Sequence, residues 1–146
     1  MRRLFIAIIA AFASLALLLP SGSAAVTTNG YHGSTDAGGL IAFGAKFNAK
    51  GKPIRVQALR WANIPASCSG SPYQHSGELT LTMRVNRKGR FFGSKKLPIG
   101  DAKVAIAGRF KRHNKRAVGT FRLHGSIAGC SDADTGKLRW KMTKKH

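Results

Sequence analysis

Leu79-Thr80-Leu81-Thr82-Met83-Arg84-Val85 decides the reading of this chain, because apolar and polar residues trade places at every step. A period of two puts Leu79, Leu81, Met83 and Val85 on one side of an extended strand and Thr80, Thr82 and Arg84 on the other. The four residues that follow, Asn86-Arg87-Lys88-Gly89, have the composition of a tight turn. Outward from this segment the pattern repeats: Leu138-Trp140-Met142 stand against Lys137, Arg139 and Lys141. Ile41-Phe43-Ala45-Phe47, Ile54-Val56-Ala58, Val104-Ile106-Gly108-Phe110 and Ala117-Gly119-Phe121-Leu123 alternate in the same way, each predicting one buried face.

The joints are legible too. Asn48-Ala49-Lys50-Gly51 and His113-Asn114 are turn sequences between alternating runs, so three hairpins are predicted in succession. Strands are expected near 30–34, 40–48, 53–62, 78–86, 89–95, 102–111, 116–125 and 137–143. This is the pattern of an all-β protein: a single antiparallel β-sandwich or flattened barrel of seven or eight strands, two shapes that give the same alternation. Ala62–Ser76, rich in Ser, Pro and Gly, is predicted as the longest loop. Tyr73 and His75 within it are the candidate local contacts, since binding groups favour loops held by a rigid scaffold.

Ahead of the strands, Met1-Arg2-Arg3 leads into the apolar run Leu4–Leu19, then Pro20 and Ser21-Gly22-Ser23-Ala24-Ala25. A positive start, a short apolar stretch and small residues at the end describe a cleaved secretory signal peptide, residues 1–25. A retained anchor would need roughly 20 apolar residues, and this run stops at Pro20. The expected layout is therefore the leader, a short tail at 26–29 and a β-domain at 30–146, with no transmembrane segment in the mature chain. The expected location is extracellular or associated with the cell wall. Cys68 and Cys130 are the two cysteines present, and an oxidising compartment favours their pairing. Closing a loop of about 60 residues would restrict the unfolded chain by roughly 4 kcal/mol in the entropic account. The rival use of the cysteines, a metal site, would need paired ligand spacing that the sequence lacks.

The formal net charge is +20, and +18 once Arg2 and Arg3 leave with the leader, against only five acids: Asp36, Glu78, Asp101, Asp132 and Asp134. Basic residues are interspersed with a 43% hydrophobic fraction, so the charge belongs to a folded surface and not to a disordered tail. The outward phase of the predicted strands holds Arg55, Arg84, Lys103, Arg109, Lys111, Arg122, Lys137, Arg139 and Lys141. If neighbouring strands pair, such residues build a cationic face for an anionic polymer or anionic surface, with affinity falling as salt rises. The competing reading is a solvated surface of one sign with no ligand. Nucleic acid fits only as a non-specific partner. Phe43, Phe47, Phe110, Phe121 and Trp140 take the inward phase, which leaves Trp61, Tyr73 and one of Phe91 or Phe92 as exposed stacking candidates.

Enzyme chemistry has little to stand on. Asp132-Ala133-Asp134-Thr135-Gly136 lacks the spacing and the closing Glu of a calcium loop and reads as a turn into a strand. Glu78, His124 and Arg122 could serve a phosphodiester hydrolase only if the fold brings them together. No nucleophile elbow is present, and neither a cofactor nor a metal is expected. A weak internal echo remains: Phe47 precedes Cys68 by 21 residues and Phe110 precedes Cys130 by 20, each pair spanning a hairpin.

Gly30-Tyr31-His32-Gly33 with Thr35 and Gly38, then Cys68, Gly108-Arg109-Phe110, Gly119-Thr120-Phe121-Arg122, and Cys130 followed by Thr135-Gly136-Lys137-Leu138-Arg139-Trp140, resemble a family of small secreted β-rich proteins of high-GC bacteria. The resemblance spans most of the chain after the leader and implies an exported β-domain with a paired cysteine, without an activity to carry over. Its members are less cationic, so the charge is a departure. The expected function is a non-enzymatic secreted domain that binds an anionic polymer or envelope surface. The alternatives are a secreted hydrolase, such as a nuclease using Glu78 and a His, and an inhibitor or protein-binding module presenting residues 62–76.

Overall fold

The computed structural model describes residues 26–145, and the signal peptide expected at 1–25 lies outside them. Ten strands follow in order: β1 (Thr27–Thr35), β2 (Leu40–Phe47), β3 (Pro53–Cys68), β4 (Ser71–Leu79), β5 (Met83–Arg84), β6 (Arg90–Lys96), β7 (Lys103–Lys111), β8 (Arg116–Ile127), β9 (Cys130–Asp134) and β10 (Leu138–Lys144). All belong to one antiparallel sheet. Its path runs β10-β1-β2-β3-β9-β8, and β8 pairs again with β10, so the sheet closes as a ring. β7 and β6 extend it from β8, while β4 and β5 lie along the other side of β3. The all-β reading holds, with the core inside a single continuous sheet.

Turn chemistry explains the early hairpins. Asn48 Oδ1 accepts from the backbone N–H of Lys50 and Lys52 at 3.0 and 2.9 Å, and Asn86 Oδ1 accepts from Lys88 and Arg90 at 2.9 and 2.9 Å. Each turn then needs a left-handed residue before the next strand, which Gly51 (φ 68°) and Gly89 (φ 71°) supply without a Cβ clash. The β7–β8 turn is built differently. Arg112, His113 and Asn114 are all left-handed, and the Asn114 carbonyl accepts from the buried Tyr31 hydroxyl.

Parity assigns most of the core correctly. Ile41, Phe43, Ala45 and Phe47 of β2, Val104, Ile106 and Phe110 of β7, Ala117, Phe121 and Leu123 of β8, and Leu138, Trp140 and Met142 of β10 are all buried. Rings from five strands meet in the middle: Phe43 lies edge-on to Trp140 at 5.9 Å, and Phe91 stacks on Trp140 at 6.2 Å. The glycines at 108 and 119 make room for that indole, since a Cβ on either would lie 2.6 or 2.5 Å from Trp140.

Four sequence expectations are corrected. Residues 62–76 are not a loop: β3 continues to Cys68, turns at Ser69-Gly70 and returns as β4. Tyr73 and His75 accordingly sit half-buried in a strand. The strand expected at 78–86 is divided, because β4 ends at Leu79 and only Met83–Arg84 pairs again. β1 starts at Thr27, inside the expected tail, and β9 was not foreseen. Finally, β3 breaks parity: Ile54 is 39% exposed, Ala58 is exposed and Trp61 is only 3% exposed. A register shift where Lys46 and Phe47 pair with Arg55 and Pro53 lies beside Ile54, and a pair of bulges accounts for Ala58 and Trp61. Three residues of β3 span two of β2 between Gln57 and Arg60, and three span two of β4 between Trp61 and Ile64. Ala58 (φ 55°) and Asn63 (φ 53°) sit in those steps in the left-handed region. Each extra residue shifts the phase by one, so the buried set becomes Val56, Leu59, Trp61 and Ile64.

The internal echo has a spatial meaning. Hairpins β2–β3 and β7–β8 contact each other at both ends. Phe47 and Phe110 meet at 6.1 Å, with Asn114 Nδ2 donating to the Gly51 carbonyl at 3.0 Å nearby. At the far end a Cys68–Cys130 disulfide joins Cα atoms 5.7 Å apart, just where β9 pairs with both β3 and β8.

Candidate functional site

Strand register turns the exposed cations into a map. Along β6, β7, β8 and β10, Arg90 stands opposite Arg109, Arg109 opposite Val118, and Val118 opposite Lys141. One step along, Lys111 faces Arg116. In the other direction Phe92 faces Ala107, which faces Thr120, which faces Arg139. Beyond that Ser94, Ala105 and Arg122 line up, followed by Lys96, Lys103 and His124. Lys103, Arg109, Lys111, Arg122, Arg139 and Lys141 are therefore drawn onto one wall, with Lys137 in the turn leading to β10, and all are exposed. Arg90, Lys96 and Arg116, not among the cations named from the sequence, join them. The centre of the wall is low, and Arg90, Arg109, Ala107, Val118 and Thr120 line a shallow depression of about 350 Å³. Phe92 rises beside it, 68% exposed.

Arg55 and Arg84 belong elsewhere. They face each other across β3 and β5, and Lys46 faces Arg55 from β2, giving a second, smaller cationic row.

Like charges directly opposite one another destabilise an antiparallel pair, where opposite charges would contribute roughly 0.2–1 kcal/mol. This sheet nevertheless pairs Lys46 with Arg55, Arg55 with Arg84, Arg90 with Arg109, Lys96 with Lys103 and Lys111 with Arg116. The acids do not offset them. Asp36 accepts from the Arg139 N–H at 2.9 Å, Asp101 from the Ser126 N–H at 2.9 Å, and Asp132 from the Ser69 N–H at 2.7 Å. Glu78 pairs with Arg60 at 3.2 Å, and Asp134 with Arg122 at 2.8 Å. Among the described residues these are the salt bridges, so nearly all of the basic side chains lack an internal counter-charge.

The hydrogen bonds from Arg122 hold the Asp134 carboxyl below its ordinary range, and the same contact raises the guanidinium. Asp134 also accepts from the Gly136 N–H at 2.8 Å, which fixes the turn into β10 and occupies the carboxylate of the rejected calcium reading.

The hydrolase trio is not assembled. Arg122 and His124 share the outer face of β8, where His124 faces Asp134; Asp134 faces Ser67 and Ser67 faces Pro72 of β4. Glu78 lies six residues beyond Pro72 on that strand, about 20 Å further along at the usual rise. Trp61 and His75 form a separate structural pair, with the indole N–H donating to His75 Nδ1 at 2.9 Å and burial lowering the His75 pKa. Among the described residues no helix is long and apolar enough to cross a membrane, and the disulfide points to a compartment outside the reducing cytoplasm. Compared with known proteins, the chain matches no family model, no curated protein and no solved structure.

Proposed function

We propose that the chain is an exported, non-enzymatic β-domain whose β6–β7–β8–β10 wall binds an anionic polymer or anionic surface at or beyond the cell envelope. The observation that carries this reading is the direct pairing of Arg90 with Arg109, Lys96 with Lys103 and Lys111 with Arg116 on one face. A solvated basic surface gains nothing from placing cations opposite one another. A polyanion relieves all of these repulsions at once and releases its counterions. Recognition is electrostatic first, with Phe92 as the exposed aromatic that a planar group on the polymer would meet.

Retention on immobilised dextran sulfate tests it. The chain should bind at low ionic strength and elute as salt approaches physiological levels, with log K falling linearly in log salt. Replacing Arg109, Arg122 and Lys141 together by Gln should cut affinity at least tenfold. Replacing Lys46, Arg55 and Arg84 removes the same charge from outside the wall and should cost much less. Equal losses from the two triple variants would reduce the interaction to net charge and refute a dedicated face. Phe92→Ala should leave dextran sulfate binding unchanged while weakening single-stranded DNA, if bases stack there.

A further inference from the structure

The outer surface of the sheet changes character at β1. On one side of it lies a cleft of about 400 Å³ carrying Lys111, Arg112, Arg116 and Lys141. On the other side an open groove of about 920 Å³ crosses β1 to β4. Its walls are mostly apolar: Leu40, Ala42 and Ala62 face outward, and an edge of Trp61 reaches it from the core side. His32, Gly33 and Ser34 line both spaces, so cleft and groove adjoin along β1. Register gives the order, since Lys141 faces Ser34, Ser34 faces Leu40 and Leu40 faces Ala62. Small side chains make the depression possible, and Leu40, 62% exposed, stands unprotected within it. The far rim carries the Arg60–Glu78 ion pair, both members exposed.

We infer that this composite surface binds an anionic membrane lipid, its phosphate among Lys111, Arg112, Arg116 and Lys141 and its acyl chain along the Leu40–Ala42–Ala62 groove. The argument is charge complementarity beside an apolar channel. A uniformly charged polymer continuing past Ser34 would lay hydrated anionic groups on Leu40, Ala42 and Ala62, losing solvation where the one cation of the lining, Arg60, is already paired with Glu78. A neutral lipid would leave the cationic cleft unused. An amphiphile with one anionic end satisfies both halves. From Ser34 to Ser76 the groove spans three strand spacings, about 14 Å, the scale of an acyl chain. The charged half shares Lys111, Arg116 and Lys141 with the wall and to that extent rests on the polyanion reading; the apolar half does not.

The test uses the leaderless chain and lysophosphatidylglycerol held below its micelle concentration, read by tryptophan emission. Trp61 borders the groove while Trp140 is enclosed in the core. The expected result is a saturable change, with lysophosphatidylcholine of equal chain length and chainless glycerol phosphate each binding at least tenfold more weakly. Leu40→Asn, which adds no charge at an exposed position, should weaken the lysolipid about tenfold and leave dextran sulfate retention intact. If glycerol phosphate binds as well as the lysolipid, or Leu40→Asn changes nothing, the groove takes no lipid and the inference is overturned. Binding of the lysolipid by a chain that dextran sulfate fails to retain would support the groove and refute the polymer-binding wall.

Discussion

Hairpins β2–β3 and β7–β8 face each other across the same core, yet they are made by different rules. β7 and β8 pair without interruption from Lys103–His124 to Lys111–Arg116, and parity along them is unbroken: what points in is Val104, Ile106, Phe121 or Leu123, and what points out is often a cation. β2 and β3 pair with two register shifts, and their outward positions include Leu40, Ala42 and Ala62. The regular hairpin presents long basic side chains on a nearly even lattice. The bulged one trades that lattice for a bend and a hollow. Exposed cations and an apolar hollow are thereby segregated on the two halves of one sheet.

The disulfide ties the ends of both hairpins, so removing it should give the largest change. Cys68→Ser with Cys130→Ser should lose about 4 kcal/mol, the loop-closure value for a separation of 62 residues, measured as a lowered urea midpoint. A midpoint unmoved by the double variant would mean that Phe47–Phe110 and the β9 ladder already hold the two hairpins together.

Next in size is a contrast between glycines. Gly119→Ala in the regular hairpin places a Cβ 2.5 Å from Trp140 and closer still to the Ala107 carbonyl, an overpacking worth about 3 kcal/mol. Gly44→Ala in the bulged hairpin meets nothing nearer than 3.7 Å and should change stability by less than about 0.5 kcal/mol. Thermal melts of the pair measure the difference directly.

A smaller effect of opposite sign is expected at the bulge itself. Ala58 holds a left-handed φ of 55°, a conformation that costs a non-glycine residue about 1 kcal/mol, so Ala58→Gly should stabilise the fold by up to about that amount. Destabilisation would show that the Ala58 methyl packs favourably enough to outweigh its backbone.

The smallest effect is titration. Burial holds the His75 pKa below its ordinary 6.5, so the native state binds fewer protons there than the unfolded chain. Its contribution is intact above 6.5 and is lost as pH falls through the lowered folded value. Protonation at Nδ1 would also remove the acceptor for Trp61. Melting temperature should therefore be flat from pH 8 to 6.5 and decline below it, and His75→Gln should flatten that part of the decline. The further loss at more acid pH belongs to Asp134, whose lowered pKa makes its contact with Arg122 last until the carboxylate protonates.

Legibility followed the same division. Every inward residue named for β7, β8 and β10 was readable from alternation, because an unbroken ladder preserves phase from end to end. In β3 the reading worked at Val56 and failed at Ile54, beside a register shift, and at Ala58 and Trp61, because a left-handed alanine or asparagine leaves no compositional mark comparable to glycine. The hairpin at 62–76 hid behind Ser, Pro and Gly, residues that signal loops on average but here line a strand pair whose support comes from β9, a distant partner. Cations were easy to find one by one. What the sequence could not show was register, and register alone separates Arg109 and Lys141 on the wall from Arg55 and Arg84 off it.

One junction has a dynamic consequence. β6 is hydrogen-bonded to β7 but meets β5 and the residues before it through side chains, with Met83 against Gly93 and Lys95 Nζ donating to the Thr80 carbonyl at 3.0 Å. A seam without a backbone ladder has little to lose on parting. Amide hydrogens of β6, the strand that carries Phe92, should exchange with deuterium well before those of β8.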